Sequence, residues 1–312
     1  MNFVERFVLL AFLMASSIWG YAAGEPLGVV YPESESRDLE KVFDTIISGI
    51  EDATGARIDK YLLGKSFDSA KLEFDIKGNG NRVILALGAR SRKAVHELDI
   101  NIPVVVGAVL SEAEEPDQKE LTGISMLADP SMLLNKLVSF APAIKIVSVV
   151  YNPDNNQSSI DDASESARRM GLSLDARPAR DIHLSAQIFK ELADTVDGRI
   201  NAIWLLPDRS TIDSDTILPP LLEKAWNRQF IVFSSKLDHA KRGVLFSMYP
   251  NNFQMGRDLG KLAKQVEVNP VRTGVTGLKS LKTAVNIRTV KHLGIDLLSR
   301  DSHSFDLVFP ME

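Results

Sequence analysis

Residues Ile144-Lys145-Ile146-Val147-Ser148-Val149-Val150-Tyr151, followed at once by Asn152-Pro153-Asp154-Asn155-Asn156-Gln157-Ser158, decide how this chain folds. An apolar, β-branched run without strict alternation reads as a strand buried on both faces. Such strands belong to parallel sheets that helices cover on either side. Asn-Pro stops the strand. Asn156 or Ser158 is placed to cap an amphipathic helix from Ser158 to Met170, which Gly171 ends.

The same βα unit recurs in both directions. Upstream, strands are predicted at Leu27 to Tyr31, Ile58 to Leu63, Arg82 to Leu87, Pro103 to Val109 and Leu121 to Met126. Helices fall at Leu39 to Ile50, Ser66 to Ile76, in a short piece opening at Ser91, and at Pro130 to Phe140. Downstream, strands are expected near Leu172 to Ala176, Ile200 to Leu206, Phe230 to Phe233, Val244 to Met248 and Thr283 to Ile287. Helices separate them at Ser185 to Val196, Asp213 to Arg228 and Phe253 to Val266. About ten strands exceed one comfortable sheet, and 312 residues exceed one comfortable core. The expectation is α/β, with two doubly wound parallel-sheet lobes.

The opening residues read as an export signal, 1–24. Glu5-Arg6 precedes an apolar core, Phe7 to Trp19, and small residues follow at Gly20-Tyr21-Ala22-Ala23-Gly24. That core is shorter than a membrane span of roughly 20 residues. Cleavage is expected between Ala22 and Glu25. The chain contains no cysteine, which excludes disulfides, thiolate metal sites, a cysteine nucleophile and a lipid-anchored cysteine. A periplasmic protein, freed by a cleaved signal peptide, fits this composition. Net charge is −5 and no long basic run occurs, which argues against a nucleic-acid partner.

Motifs for chemistry are weak. Gly64-Lys65-Ser66 has Asp59 where a phosphate-binding loop needs its first glycine, so it reads as a turn with a helix cap. His96, His183, His239, His292 and His303 lack metal-ligand spacing and read mostly as surface residues. No Gly-x-Ser-x-Gly elbow is present. Neither an enzyme, a metal nor a cofactor is expected. In doubly wound sheets, ligands bind beyond the carboxyl ends of the strands. That rule selects Tyr31, Arg90 and Ser91 in one lobe, and Tyr151, Asn155, Ser158, Asp208, Arg209 and Ser235 in the other. Any one of these loops is also readable as a capped turn. Trp204, flanked by Ile203 and Leu205, reads as core.

These residues resemble the family of ABC-transporter substrate-binding proteins that includes tryptophan- and tyrosine-binding members. Ile102-Pro103-Val104-Val105-Val106 resembles its IPVVF strand, and Leu121-Thr122-Gly123-Ile124-Ser125 its VTGVS segment. The run from Ala141-Pro142 through Tyr151-Asn152-Pro153 is similar to its P-x-A-K-x-I-G-x-x-Y-N-P pattern. Gly256-Arg257, Val285-Asn286-Ile287 and Leu293-Gly294-Ile295 resemble its closing segments. The resemblance implies a type I periplasmic-binding-protein fold, with lobes of 26–128 plus 249–268 and of 129–248 plus 269–312, joined by a three-strand hinge. It also implies binding of a small polar or aromatic ligand, an amino acid or another carboxylate among them, and delivery to an inner-membrane ABC permease; the chain is expected to act as a monomer. A periplasmic sensing subunit for a membrane receptor is the alternative. Arg90 and Arg209 depart from the family's loops, as does the position of Asp208.

Overall fold

The computed structural model describes residues 24–34, 36–109, 121–270, 272–296 and 305–311. Two sheets result. The first contains β1 (Gly24–Pro32), β2 (Ala56–Leu63), β3 (Val83–Leu87), β4 (Val104–Gly107), β5 (Thr122–Ala128) and β11 (Gly274–Leu278), in the order β2-β1-β3-β4-β5-β11 and wholly parallel. The second contains β6 (Ile146–Tyr151), β7 (Ser173–Pro178), β8 (Asn201–Leu205), β9 (Ile231–Ser234), β10 (Phe246–Pro250), β12 (Leu281–Asn286) and β13 (Leu307–Phe309). Its order is β7-β6-β8-β9-β10-β12-β13, with β12 antiparallel to β10.

Both sheets therefore open with the same winding, in which the first strand of each lobe lies between the second and the third. The strand order reverses beside β1 in one lobe and beside β6 in the other, which leaves a crevice at the carboxyl end of each. The helices between strands supply the covering layers. In the first lobe these are α1 (Arg37–Thr54), α2 (Ser69–Gly78), α3 (Ala89–His96) and α9 (Asn252–Val268). In the second they are α4 (Pro130–Phe140), α5 (Pro153–Arg169), α6 (Ile182–Thr195), α7 (Leu218–Arg228), α8 (Leu237–Arg242) and α10 (Ile287–His292).

The first core joins Val29, Leu85 and Val105 to Ile46, Ile50 and Leu259. In the second, Val147, Val149 and Trp204 pack on Leu133, Leu137 and Ile160. Trp204 is 1% exposed and its ring lies parallel to Phe233, as a core residue should. Glycine lets α1 and α9 touch backbone to backbone. A Cβ built on Gly256 would lie 2.0 Å from the Ile46 carbonyl oxygen, and one on Gly49 would lie 2.1 Å from that of Phe253.

The chain passes between the lobes three times: after β5, after β10, and between β11 and β12. Those passages are stitched together. Asp129 N–H donates to Leu278 O at 2.9 Å, and Asn251 N–H donates to Ser280 O at 3.0 Å. Ser280 Oγ donates in turn to the Asp258 carboxylate on α9. This band is the three-strand hinge of the type I periplasmic-binding-protein fold.

Four expectations need correction. β11 pairs with β5 through Gly274–Leu278, so this part of 269–312 belongs with the first sheet, while Tyr249 and Pro250 remain in the second. Two glycines and a threonine in so short a strand hid it from a search for apolar runs. Helix α5 begins at Pro153 rather than Ser158, with Asn152 as its N-cap, because proline is suited to the first helical position. Helix α2 begins at Ser69, where Asp68 and not Ser66 accepts from a backbone N–H. His239 is fully buried instead of superficial. Residues 1–23 of the predicted export signal lie outside the described residues, as does His303. Among the described residues no helix is long and apolar enough to cross a membrane.

Candidate functional site

At the carboxyl end of β6, Asn152 starts α5 and organises its neighbours. Its Oδ1 accepts from Asp154 N at 3.0 Å, and its Nδ2 donates to Ser210 Oγ at 3.1 Å in the loop after β8. Asp208 in that loop is the centre of the cluster. Its Oδ2 accepts from Asn156 Nδ2 at 2.6 Å and from Asn155 Nδ2 at 3.2 Å, while Oδ1 accepts from Ser210 N and Oγ at 2.8 and 2.7 Å. Four donors satisfy this carboxylate within the protein. Its work in this conformation is to lock the first turn of α5 to the β8 loop. Arg209, beside it, is exposed.

The loop after β9 is held from below. Ser235 Oγ accepts from Trp204 Nε1 at 3.2 Å. Ser234 Oγ donates to Leu205 O at 3.3 Å and accepts from Lys236 N at 3.0 Å, which assigns the imidazole proton of His239 to Nδ1, 2.8 Å from Ser234 Oγ. Nε2 then accepts from Ser214 Oγ at 3.1 Å. Burial of the ring, with Lys236 and Arg242 nearby, pushes His239 down to about 4, so the bridge is neutral in ordinary solution.

Opposite, in the first lobe, Tyr31 packs at 6.2 Å against the Phe43 ring. Arg90 turns to the β2–α2 loop, where its Nη2 donates to the carbonyls of Gly64 and, at 2.8 Å, Lys65. Ser91 is fully buried in the first turns of α3. Arg90 thus ties α3 to the loop before α2, whereas Ser91 Oγ has no hydrogen-bond partner among the described residues. Tyr151 is 8% exposed and its hydroxyl donates to Gln157 Oε1 at 3.2 Å.

A crevice runs between the lobes beside the hinge. Its first-lobe wall is Arg92 on α3, Val106 and Val109 around the end of β4, and Ser125 and Leu127 on β5. Its second-lobe wall is Ser158, Ser159 and Asp162 along α5, and Pro130 at the start of α4 also lines it. Arg92 is 7% exposed, whereas Asp162 is open to the crevice solvent. Partial burial, then the charges of Asp129 and Asp161, raise the Asp162 carboxyl above its usual range; Arg169 acts the other way. Ala108, bordering this crevice, holds φ of 57°, a left-handed conformation uncommon for a residue with a Cβ.

The structure thus brings Asn155 together with Asp208, and places Ser158 on the crevice wall. Arg90 and Ser235 are engaged with other parts of their own lobes, and neither lines that crevice. Arg92 and Asp162 were missed by sequence reasoning. Arg92 did leave a signal, since it sits on the same side of α3 as buried Ser91 and Val95. Asp162 follows Asp161 on a helix rich in polar residues and left none. Among the described residues no group of acidic, histidine or cysteine side chains could hold a metal ion.

Solved structures share this architecture. The domain of an ABC protein from Streptococcus pneumonia, in complex with L-Trp, is 17% identical, with a TM-score of 0.55 over 92% of this chain and 100% of that one. The ligand-free, open structure of CD0873 from Clostridium difficile, a substrate-binding protein with adhesive properties, is 18% identical. Its TM-score is 0.61 over 91% of this chain and 99% of the other. A conserved domain protein from Vibrio cholerae is 17% identical, with a TM-score of 0.54 over 91% and 99%. At such identities the likeness shows the fold. Comparison with curated proteins finds no match by sequence. The sequence profile described as ABC transporter substrate binding protein matches residues 39–302, most of the chain. The chain belongs to the family of ABC transporter substrate-binding proteins.

Proposed function

We propose that the chain is the periplasmic solute-binding component of an ABC-type importer, acting as a monomer. It binds a small polar or aromatic ligand, an amino acid or another carboxylate among them, between its lobes and presents the closed form to an inner-membrane permease. One observation carries this reading: the crevice beside the hinge is lined by both lobes, so a ligand there contacts α3 and β5 on one side and α5 on the other. Such a ligand favours the closed arrangement because only that arrangement offers both sets of contacts. The Asp208 cluster and the loop after β9 hold the second-lobe half in shape. Arg90 and Tyr31 do the same for the first.

The test uses mature protein, screened by thermal shift against amino acids, small peptides, sugars and nucleosides. A stabilising ligand should reduce the radius of gyration in small-angle scattering. If no compound of these classes stabilises the protein, or the radius is unchanged at saturation, the reading fails.

A further inference from the structure

Asn79-Gly80 is the chain's only asparagine–glycine pair, and it lies in the turn between α2 and β3. Such a pair carries its own reagents. The backbone nitrogen of the second residue can attack the side-chain amide carbon of the first, and glycine has no Cβ to hinder the approach. Both residues are exposed, and a Cβ built on Gly80 would meet nothing within 4 Å. Ring closure requires the Asn79 Cα–C bond to turn from its ψ of −7°. The bonds that resist this at the backbone are long. Gly80 N–H donates to Lys77 O at 3.4 Å, and Arg57 Nη2 donates to Asn79 O at 3.3 Å. The chain's only aspartate–glycine pair is a contrast. Bonds from Arg199 lower the pKa of Asp197 to about 2, so it stands as a carboxylate, a poor electrophile. A Cβ on Gly198 would lie 2.5 Å from Gln229 O, so that peptide is also crowded.

The work of the Asn79 side chain gives the reaction a consequence. Its Nδ2 donates at 2.9 Å to the hydroxyl of Tyr61 on β2, the outermost strand of the first sheet. Tyr61 OH donates onward to Asn81 Oδ1 at 2.5 Å, and Asn81 Nδ2 donates to Asp59 Oδ2 at 2.7 Å. Burial, then the charges of Asp59 and Asp75, raise this phenol's pKa, against the bond from Asn79 and the charge of Arg57. We propose that Asn79 is a site of spontaneous covalent modification, in which deamidation to aspartate and isoaspartate releases the edge strand β2 from the α2–β3 turn. Gly80 N bonds to Asn79 Cγ, its proton passes to the departing side-chain nitrogen, and ammonia leaves. Water then opens the succinimide at either carbonyl. Solvent is the one co-reactant. Each product lacks the donor to Tyr61 and adds a negative charge beside Asp59 and Asp75. Isoaspartate also lengthens the backbone at the C-cap of α2 by one atom. The change is one-way and belongs to the outer edge of the first lobe, whatever the crevice binds.

The test ages folded mature protein in mildly alkaline buffer and then cuts it after glutamate, which yields a peptide spanning 74–97. Mass spectrometry follows the mass gained as –NH2 becomes –OH, and fragmentation separates Asn79 from Asn81. Asn79 should convert at least about tenfold faster than exposed Asn101, Asn135 or Asn227, each of which precedes a larger residue. Part of the product should be isoaspartate, which only ring opening provides. Asn79→Gln keeps an amide but needs a larger ring, and should abolish the conversion. The aged form, separated by ion exchange, should unfold at a lower urea concentration than fresh protein, and so should Asn79→Asp. Conversion of folded protein no faster than at Asn101 overturns the proposal. So does product that is aspartate alone, or an aged form as stable as fresh protein.

Discussion

Asn156 Nδ2 donates to Asp208 Oδ2 at 2.6 Å, and through this bond the first turn of α5 is fastened to the loop that follows β8. The two residues are far apart in sequence, yet each lies just beyond the carboxyl end of a neighbouring strand in the second sheet. The same carboxylate collects Asn155 and Ser210, so one side chain fixes the relative position of two loops at the crevice end of the lobe.

Asp208→Ala should therefore destabilise the protein by about 2–3 kcal/mol, since several donors lose a charged acceptor together. Urea denaturation followed by circular dichroism measures this. Arg209→Ala, one residue on, removes an exposed side chain and should change stability by less than about 0.5 kcal/mol. Equal effects for the two variants would contradict the role given to Asp208.

Gly256→Ala tests the contact between α1 and α9. Alanine is ordinarily the better helix former by about 1 kcal/mol. Here its Cβ meets the Ile46 carbonyl at 2.0 Å, and backbone on a packed helix cannot move aside cheaply. Overpacking of this kind costs roughly 1–3 kcal/mol or more. A net loss of stability is expected in denaturant titration, and a gain would mean that the helices sit further apart.

Much of this fold was legible in the chain because its strands are long apolar runs and its helices amphipathic. Ile146–Tyr151 could hardly be read otherwise. Legibility failed where local signals were ambiguous. Asn152-Pro153 stops a strand and also starts a helix, and both happen at the same place. Gly274–Leu278 has no apolar run and owes its strand to pairing with β5. The strand-end rule led to Asn155 and Asp208, which do meet. It could not reach Asp162, which lines the crevice from the side of a helix, because which helix faces the other lobe depends on how the lobes are hung on the hinge.

Asp162→Asn makes a separate prediction about the ligand-free protein. Its carboxyl is raised above 3.8 in the fold, so the native state holds its proton more tightly than the unfolded chain does. Stability from this group is present at low pH and falls as pH rises from the unfolded value through the folded one. The asparagine variant should melt above the wild type at neutral pH, and the difference should close below about pH 4. A constant difference across that range would assign the effect to something other than charge.

Export is tested by N-terminal sequencing of protein from the periplasmic fraction. Small residues at Ala22-Ala23-Gly24 predict a mature chain that begins between Ala23 and Glu25, close to the Gly24 at which β1 starts. An intact chain from Met1 held in the membrane would defeat this expectation.

His239 offers the sharpest pH signature in the molecule. Its ring is fully buried, bonded at Nδ1 to Ser234 and at Nε2 to Ser214, and it accepts a second proton only near pH 4. The unfolded chain takes that proton near pH 6.5. Between these values the unfolded state binds more protons, so stability rises with pH and is lost as pH falls from about 6.5 toward 4. A displacement of this size corresponds to about 3 kcal/mol, with each pKa unit contributing about 1.4. Several ion-paired carboxylates also respond to acid, but their pKa values are lowered, as that of Asp197 is to about 2, and their contributions disappear below pH 4. His239→Gln removes the titrating group while keeping a polar side chain of similar reach. The variant should be less stable at pH 7, where it loses a fitted pair of hydrogen bonds, and its stability should be nearly flat between pH 6.5 and 5. Urea midpoints measured at intervals of half a pH unit separate the two slopes. If the variant keeps the wild-type slope, the loss belongs to other groups and His239 is not the buried neutral bridge that ties the loop after β9 to the loop after β8.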